Sequence, residues 1–459
     1  MDWLATRTII GFQTRNEEHH MKIMKFGGTS VGRPERMQQV CQLITADSES
    51  KIVVLSALSG TTNSLVEISK SLASGNRVEA KQLIDKLEAH YHQFISLLAT
   101  TEESTKAAKA ILTEHFEFLN IILKISFSEA LNKDILAQGE LLSTKLFSVY
   151  LTEHGIKHQL LPALDFMTID AYEEPQIGSI RVKLSQILAQ YPDDTLFVTQ
   201  GYICRNARGE VDNLKRGGSD YTASLIAAAI KASVCEIWTD IDGMHNNDPR
   251  ICEKTVAIEQ MSFEEAAELA YFGAKILHPA SIWPAQHYNV PVKLLNTMQP
   301  TAKGTIILQE AGSKGVKAVA AKDGIIAINI KSSRMLLAYG FLRKVFEVFE
   351  KYRTSIDMIT TSEVAVSVTI DSDIYLKDIT KELEPFGIVE VEKEQSIISV
   401  VGNEIAETEN ILAKLFDCLK PIPVRMVSYG GSKHNVSLLV PSSFKNQTLQ
   451  LLNKGLFNL

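Results

Sequence analysis

Three clusters in the sequence combine residue types that handle anions. The first is Lys25-Phe26-Gly27-Gly28-Thr29-Ser30, at the end of an apolar run. A lysine inside such a run is costly unless an anion meets it. Two glycines let the backbone approach a ligand closely, and the N–H groups of a turn can cradle phosphate oxygens. A tight strand–helix turn with a snorkelling lysine fits the same residues. The second cluster, Arg216-Gly217-Gly218-Ser219-Asp220, precedes a clean helical stretch at 221–232. Ser219 and Asp220 are N-cap candidates, and a helix start offers free N–H groups with a partial positive charge. Arg216 presents a planar fork suited to a carboxylate. A capped helix after a glycine turn is the plainer alternative. The third cluster is Thr239-Asp240-Ile241-Asp242-Gly243, running on to Asp248-Pro249-Arg250. It is long for a turn, though an Asp-rich surface loop would also explain it. Weaker signals are SALSGTTN at 56–63, Gly139-Glu140, and Phe272-Gly273-Ala274-Lys275 with His278-Pro279. Singly these read as structural; a Glu after Gly at a helix start commonly serves the helix dipole. GxxxxGK[ST], GxGxxG, HRD and DFG are all missing, which indicates neither a Walker A loop, a simple dinucleotide fold nor a protein kinase.

Elements able to position these clusters are visible in the hydrophobic pattern. From Met21 to about residue 300, apolar runs at 22–26, 52–55, 196–199 and 236–239 each end in a small or polar loop and then a helix. That order predicts an α/β unit with a mostly parallel sheet sandwiched between helices, and ligands at the carboxyl ends of the strands. The stretch from Asn76 to Gln138 has no Gly or Pro. Its spacing, as at Leu83, Leu87 and Tyr91 and at Phe116, Leu119 and Leu123, predicts two or three helices placed together as a lid or bundle.

After about residue 313 apolar and polar residues alternate, at 325–330, 364–370, 397–401 and 436–440. A β-α-β-β order occurs twice. The first helix begins near Gly340-Phe341 with the next strand at 355–359; the second lies near 407–418 with its strand at 424–427. Met358 and Met426 fall at equivalent points. Two tandem modules this small should pair sheet to sheet. The expected division is an extension at 1–20, a catalytic unit at 21–305, and a regulatory region at 313–459. Within that region the first module spans about 324–392, and the second combines 316–321 with 395–459. The first 20 residues read as a floppy extension or an over-long start, since a second Met stands at position 21.

Composition narrows the class further. The 459 residues are 45% hydrophobic and 22% charged, as in ordinary globular proteins, which excludes a disordered chain, a collagen or a coiled-coil rod. With 47 Lys and Arg against 54 Asp and Glu, the net charge of −7 gives no global reason to hold nucleic acid or an anionic membrane. The five cysteines are scattered without CxxC, so a disulfide framework or zinc site is not expected, and a reducing cytoplasm fits.

Taken in order, KFGGTSV, SxxxGxTN, GE, RGGSDYTA, WTDxxG…DPR and FGAKxLHP resemble the aspartokinase branch of the amino acid kinase superfamily. The tail resembles the paired ACT modules of those enzymes. The stretch GFLRKVFEVFEKYRTSIDMITTSEVAVSVTID is similar to the regulatory module of lysine-sensitive, monofunctional aspartokinases. The resemblance implies transfer of the ATP γ-phosphate, with Mg²⁺, to the side-chain carboxylate of L-aspartate, the first step of lysine, threonine and methionine biosynthesis. In that reading Lys25 and Asp220 are catalytic. Thr62, Glu140, Arg216 and Ser219 bind aspartate. Lys25, Gly27, Gly28, Thr29, Thr239, Asp240, His245, Arg250 and Lys275 bind ATP. The implied partners also include L-lysine as an inhibitor and a second copy of the chain, paired through the ACT modules, with a tetramer compatible. Met335, Phe341, Leu342, Ser355, Asp357 and Glu363 would form the effector site.

Four positions depart from the family pattern. His245 stands where a Tyr is usual in the nucleotide loop, Tyr202 and Cys204 replace Phe and Gly in TQGYIC, and Leu337 stands where a His is frequent. The alternative function is an amino-acid sensor with a weak kinase domain; the set Lys25, Glu140, Arg216 and Asp220 speaks against it. The ACT pair and FGAKxLHP speak against a glutamate kinase. A fused homoserine dehydrogenase is not expected, as the chain ends about 20 residues past the last module strand.

Overall fold

The computed structural model describes residues 21–459 apart from Arg216, 274–276, Ala311, Ser313 and 333–338. The expected extension at 1–20 therefore lies outside the described residues, as do Arg216, Lys275, Met335 and Leu337. The first part of the chain holds strands β1 (Lys22–Phe26), β2 (Lys51–Leu55), β3 (Gln159–Leu161), β4 (Leu196–Gln200), β5 (Ile203–Arg205), β6 (Val211–Asn213), β7 (Cys235–Thr239), β8 (Gln260–Ser262), β9 (Val292–Asn296) and β10 (Thr305–Leu308). Eight of them form one sheet in the order β3-β4-β2-β1-β7-β9-β10-β8, and β5 with β6 makes a separate hairpin. From β3 to β9 every neighbouring pair is parallel, and only β9 with β10 runs antiparallel. Every residue of β1, β2 and β4 is buried, because helices cover both faces.

The stretch without Gly or Pro becomes three long helices: Arg77–Leu98, Glu102–Ile122 and Glu129–Glu153. Asn76, Thr101 and Ser128 cap them, each side chain accepting from a backbone N–H in the first turn. Their apolar faces, including Leu87, Tyr91, Phe116 and Leu119, join the core on one side of the sheet with Phe26 and Val53. The third of these helices carries Glu140 in its middle, not at its start as the sequence suggested. Gly139 permits that packing: a Cβ there would stand 2.7 Å from the Ala57 Cβ, so this helix lies directly on the loop after β2.

The rest of the chain supplies β11 (Gly315–Lys331), β12 (Ile359–Thr361), β13 (Ala365–Ile370), β14 (Ile388–Asn403), β15 (Met426–Tyr429) and β16 (Asn435–Pro441). They form one six-stranded antiparallel sheet, ordered β12-β13-β11-β14-β16-β15. The long strands β11 and β14 run through both halves, with register shifts between Lys322 and Ala327 where the halves meet. Helices Phe341–Lys351 and Leu376–Leu383 cover one half, and helices Ile411–Cys418 and Lys445–Phe457 cover the other. The outer strands β12 and β15 lie near each other. Met358 and Met426 share a small core there with Ile325, Ile397, Leu439 and Phe272. Phe272 follows the helix Phe263–Tyr271 in the first part of the chain, so this core joins it to the six-stranded sheet.

Three strands start later than their apolar patterns suggested, β13 by the single residue 364. β12 begins at Ile359, because Asp357 and Met358 donate their N–H groups out of register to the Thr369 carbonyl and hydroxyl, both at 2.9 Å. β15 begins at Met426 in place of residue 424.

Candidate active site

The carboxyl ends of β1, β2, β4, β7 and β9 point the same way, so the loops that follow them meet along one edge. Lys25 is the fourth residue of β1 and only 9% exposed. Its ammonium lies 2.5 Å from Asp220 Oδ1. Another buried strand lysine shows the contrast. Lys51 Nζ is saturated by the Ile44 and Asp47 carbonyls at 2.8 and 2.9 Å and by Asp47 Oδ1 at 2.7 Å, which makes it a structural residue. Lys25 instead faces the loop edge, beside Gly27, where a Cβ would come within 3.4 Å of its nitrogen.

Asp220 and Ser219 sit in the first turn of helix Gly218–Ile230, inside it and not at the cap. Gly217, at φ +66, takes the N-cap position, which a residue with a Cβ enters only under strain. Both side chains are thereby released from capping. Ser219 Oγ accepts from Ser56 Oγ at 2.8 Å, which ties this helix start to the end of β2. Ser143 donates to the Ser56 carbonyl at 2.7 Å and to the Glu140 carbonyl at 3.2 Å, linking the same point to the long helix. Glu140 is 4% exposed. Its Oε1 accepts from the Ala57 N–H at 3.3 Å, while Oε2 is buried without a hydrogen-bond partner among the described residues. Burial raises the Glu140 carboxyl to about 8, against the opposing pull of the Ala57 N–H. A buried carboxyl with one free oxygen is a site waiting for a donor, and an ammonium group satisfies it.

Tyr202 lies nearby. Burial, followed by the charge of Glu140, pushes its phenol up to about 12, so it stays neutral. Its backbone is left-handed at φ +66, held by an N–H bond to Thr222 Oγ1 at 2.8 Å. Thr62, half-buried, is the second residue of helix Thr61–Ala73 at the same edge. On the other side of β1, Thr239 ends β7 and bonds to Asp240 at 3.1 Å, and Ser30 bonds to Thr297 past the end of β9 at 2.8 Å. The arrangement thus has two sides, one between β1, β2 and β4 that holds Glu140 and Ser219, and one between β1, β7 and β9 that holds Thr239 and Ser30.

Not every expected residue joins it. His245 spends both ring nitrogens on its own loop, to Asp242 Oδ1 and Thr255 Oγ1, each at 2.9 Å. Arg250 pairs with Asp248 at 2.7 Å and is 85% exposed. Its loop turns toward the last helix, where Asn247 donates to the Leu449 carbonyl at 3.0 Å and Asn453 donates to the Lys254 carbonyl at 2.9 Å. Ser56 and Ser143 are site-building residues that the motif reading left unassigned. Ser56 stood within the quoted SALSGTTN, whereas nothing local marks Ser143.

In the regulatory region Phe341 is buried, Leu342 lies at the surface, and Ser355 and Glu363 are exposed. Asp357 is different, with a side chain only 1% exposed and already paired with Lys322 at 2.8 Å.

Known proteins resemble this chain along most of its length. The model of the amino acid kinase family matches residues 20–296, and an ACT domain model matches 398–456. The lysine-sensitive aspartokinase 3 of Escherichia coli K12 is 33% identical over 447 residues, spanning 95% of this chain and 99% of that protein. The crystal structure of E. coli aspartokinase III with lysine and aspartate, in its T-state, is 32% identical with a TM-score of 0.80, covering 95% of this chain and 100% of that one. Its R-state structure with aspartate and ADP gives a TM-score of 0.79 at 32% identity and the same coverage. The chain belongs to the amino acid kinase family and, within it, to the aspartokinases.

Proposed function

We propose that this chain transfers the γ-phosphoryl group of ATP to the side-chain carboxylate of L-aspartate, giving 4-phospho-L-aspartate for lysine, threonine and methionine synthesis. The observation that carries this reading is the buried Lys25–Asp220 pair at the loop edge, beside a buried Glu140 with one free oxygen. The reaction brings two anions together, so positioning and charge must do most of the work. Lys25 neutralises the transferring group, and the Gly27 and Gly28 N–H groups donate to it. Asp220 orients Lys25; no strong base is needed, since the nucleophile is already a carboxylate. Arg216 clamps the α-carboxylate of aspartate and Glu140 takes its α-ammonium, while Thr62 and Ser219 hydrogen-bond the substrate. Thr29, Thr239, Asp240 and Lys275 hold the nucleotide; His245 and Arg250 contribute only on leaving the partners described above. Among the described residues no three His, Cys, Asp or Glu side chains group into a metal site. Mg²⁺ fits as an ion held by phosphates and water, with Asp220 at hand, and there it supplies charge neutralisation. Hydroxylamine trapping tests the product: an acyl phosphate should yield a hydroxamate with aspartate, and no hydroxamate would refute the assignment.

Arg216→Ala should raise the KM for aspartate about tenfold or more, the scale for losing a charged hydrogen bond, and leave nucleotide affinity almost intact. Calorimetry with an unreactive ATP analogue checks this; an equal loss of nucleotide affinity would remove Arg216 from the clamp.

The reading includes L-lysine as feedback inhibitor, bound by Met335, Phe341, Leu342, Ser355, Asp357 and Glu363, with Leu337 the one departure. It includes a homodimer through the ACT modules, which the exposed apolar side chains of Phe346, Ile359, Val364, Ile388 and Val391 support. It also divides the chain at about 305–313 and places it in the cytoplasm, where its five free cysteines are stable. Glu363→Ala should relieve lysine inhibition and spare the basal rate. Unchanged inhibition in a dose–response assay would exclude Glu363 from the site.

A further inference from the structure

One charged knot joins the catalytic and regulatory parts and takes no part in the chemistry above. Asp357 Oδ1 accepts from Lys322 Nζ at 2.8 Å and from the Tyr271 hydroxyl at 2.9 Å. Lys322 also reaches Asp371 Oδ2 at 3.0 Å and stands 4.7 Å from the centre of the Tyr271 ring. The second oxygen, Asp357 Oδ2, is buried with no hydrogen-bond partner among the described residues. Tyr271 ends the helix Phe263–Tyr271 of the catalytic part, whereas Lys322, Asp357 and Asp371 belong to the regulatory sheet and its loops. Tyr271 also stands four residues before Lys275, which the proposed function gives to the nucleotide. The neighbouring Phe272 packs into the small core between the two parts.

We infer that Lys322 is a built-in cation occupying the carboxylate which an effector's ammonium group must share or take, and that Tyr271 is the positioning residue passing the change toward the proposed nucleotide contact Lys275. This rests on the reading of Asp357 as an effector contact. The charges favour it: one carboxylate oxygen already serves an ammonium and a hydroxyl, and an ammonium reaching the free Oδ2 stands close to Lys322. A second ammonium brought to Asp357 either repels Lys322 or displaces it. In both cases the Tyr271 hydroxyl loses or shifts its acceptor, and the end of the helix Phe263–Tyr271 is released from the regulatory sheet. Differential contacts of this kind are what a ligand needs to bias two states.

Two variants separate the parts. Tyr271→Phe keeps the ring against Lys322 and removes the hydroxyl. Lys322→Met keeps the apolar stem and removes the charge. Measured on the full chain with MgATP and aspartate, Tyr271→Phe should keep lysine affinity while its turnover without lysine falls toward the lysine-inhibited level of the parent, so that added lysine inhibits it about fivefold less or weaker still, the lower range of allosteric coupling. Lys322→Met should bind lysine several-fold more tightly by calorimetry, because the resident competitor is gone. Inhibition in Tyr271→Phe that matches the parent would overturn the inference, as would unchanged lysine affinity in Lys322→Met. A parent indifferent to lysine would sink the effector reading alone. Hydrogen exchange then decides the knot: an unreactive ATP analogue should protect 316–322 and 356–371 in the parent but not in Tyr271→Phe, and equal protection in both would overturn it.

Discussion

Lys25→Ala is expected to lose on the order of 10²-fold or more in turnover, with a smaller change in nucleotide affinity. Lys25 is anchored in a fully buried strand at the centre of the sheet, between β2 and β7. Its ammonium cannot swing away to solvent, so its charge is already in place when negative charge gathers on the transferring oxygens. A preorganised charge in a site of low dielectric contributes more to the transition state than to the bound ground state. Removing it also leaves Asp220 as an uncompensated anion facing the phosphates, which adds repulsion. Lys25→Met therefore provides the control for burial, and Asp220→Asn should recover part of the loss in the Lys25→Ala background. Steady-state kinetics checks both. Near-normal turnover in Lys25→Ala would remove this residue from the mechanism.

The second large effect concerns Glu140 and pH. Burial holds its carboxyl at about 8, so it is protonated near pH 7. Pairing with the α-ammonium of aspartate requires the carboxylate, so binding must expel a proton. Aspartate affinity should therefore rise with pH, by up to about tenfold per unit, and level off above about 8. Glu140→Gln should flatten that profile and raise the KM for aspartate on the order of 10²-fold, the cost of an uncompensated ammonium in a buried site. Titration calorimetry in two buffers of different ionisation enthalpy counts the proton directly. The sign for stability is opposite. A carboxyl whose folded pKa is raised favours folding below the unfolded value and loses that contribution as pH climbs to about 8. Without ligand, the parent should thus lose stability over that window relative to Glu140→Gln. Aspartate binding without proton release near pH 7 would contradict the account.

Much of this was legible in the sequence, for identifiable reasons. Lys25 stood out because Ile23, Met24 and Phe26 fix a buried strand, and a lysine among them must meet an anion. Its partner Asp220 could be named only through the family resemblance, since the pairing is made by the sheet and not by spacing. Glu140 was misplaced because Gly139 resembles a helix boundary. The glycine is instead required mid-helix by the nearby Ala57 Cβ. Ser219 and Asp220 resemble caps by residue type, but a left-handed Gly217 takes that place and frees them. In the regulatory part, the repeated β-α-β-β order showed two modules. The fusion of their central strands was hidden, because Gly324, at φ +77 within β11, reads as a turn. The pairing of Asp357 with Lys322 depends on how β11 lies against β13, which no local pattern encodes.

The central claim is that the site selects a free amino acid with a short acidic side chain and phosphorylates it. Coupled ADP release with MgATP, comparing L-aspartate, L-glutamate and N-acetylglutamate, tests it most directly. Turnover should be strong with L-aspartate, at least about tenfold weaker with L-glutamate for one misplaced methylene, and absent with N-acetylglutamate, which has no ammonium for Glu140. Preference for either glutamate compound, or no ADP release with aspartate while lysine still binds, would contradict it.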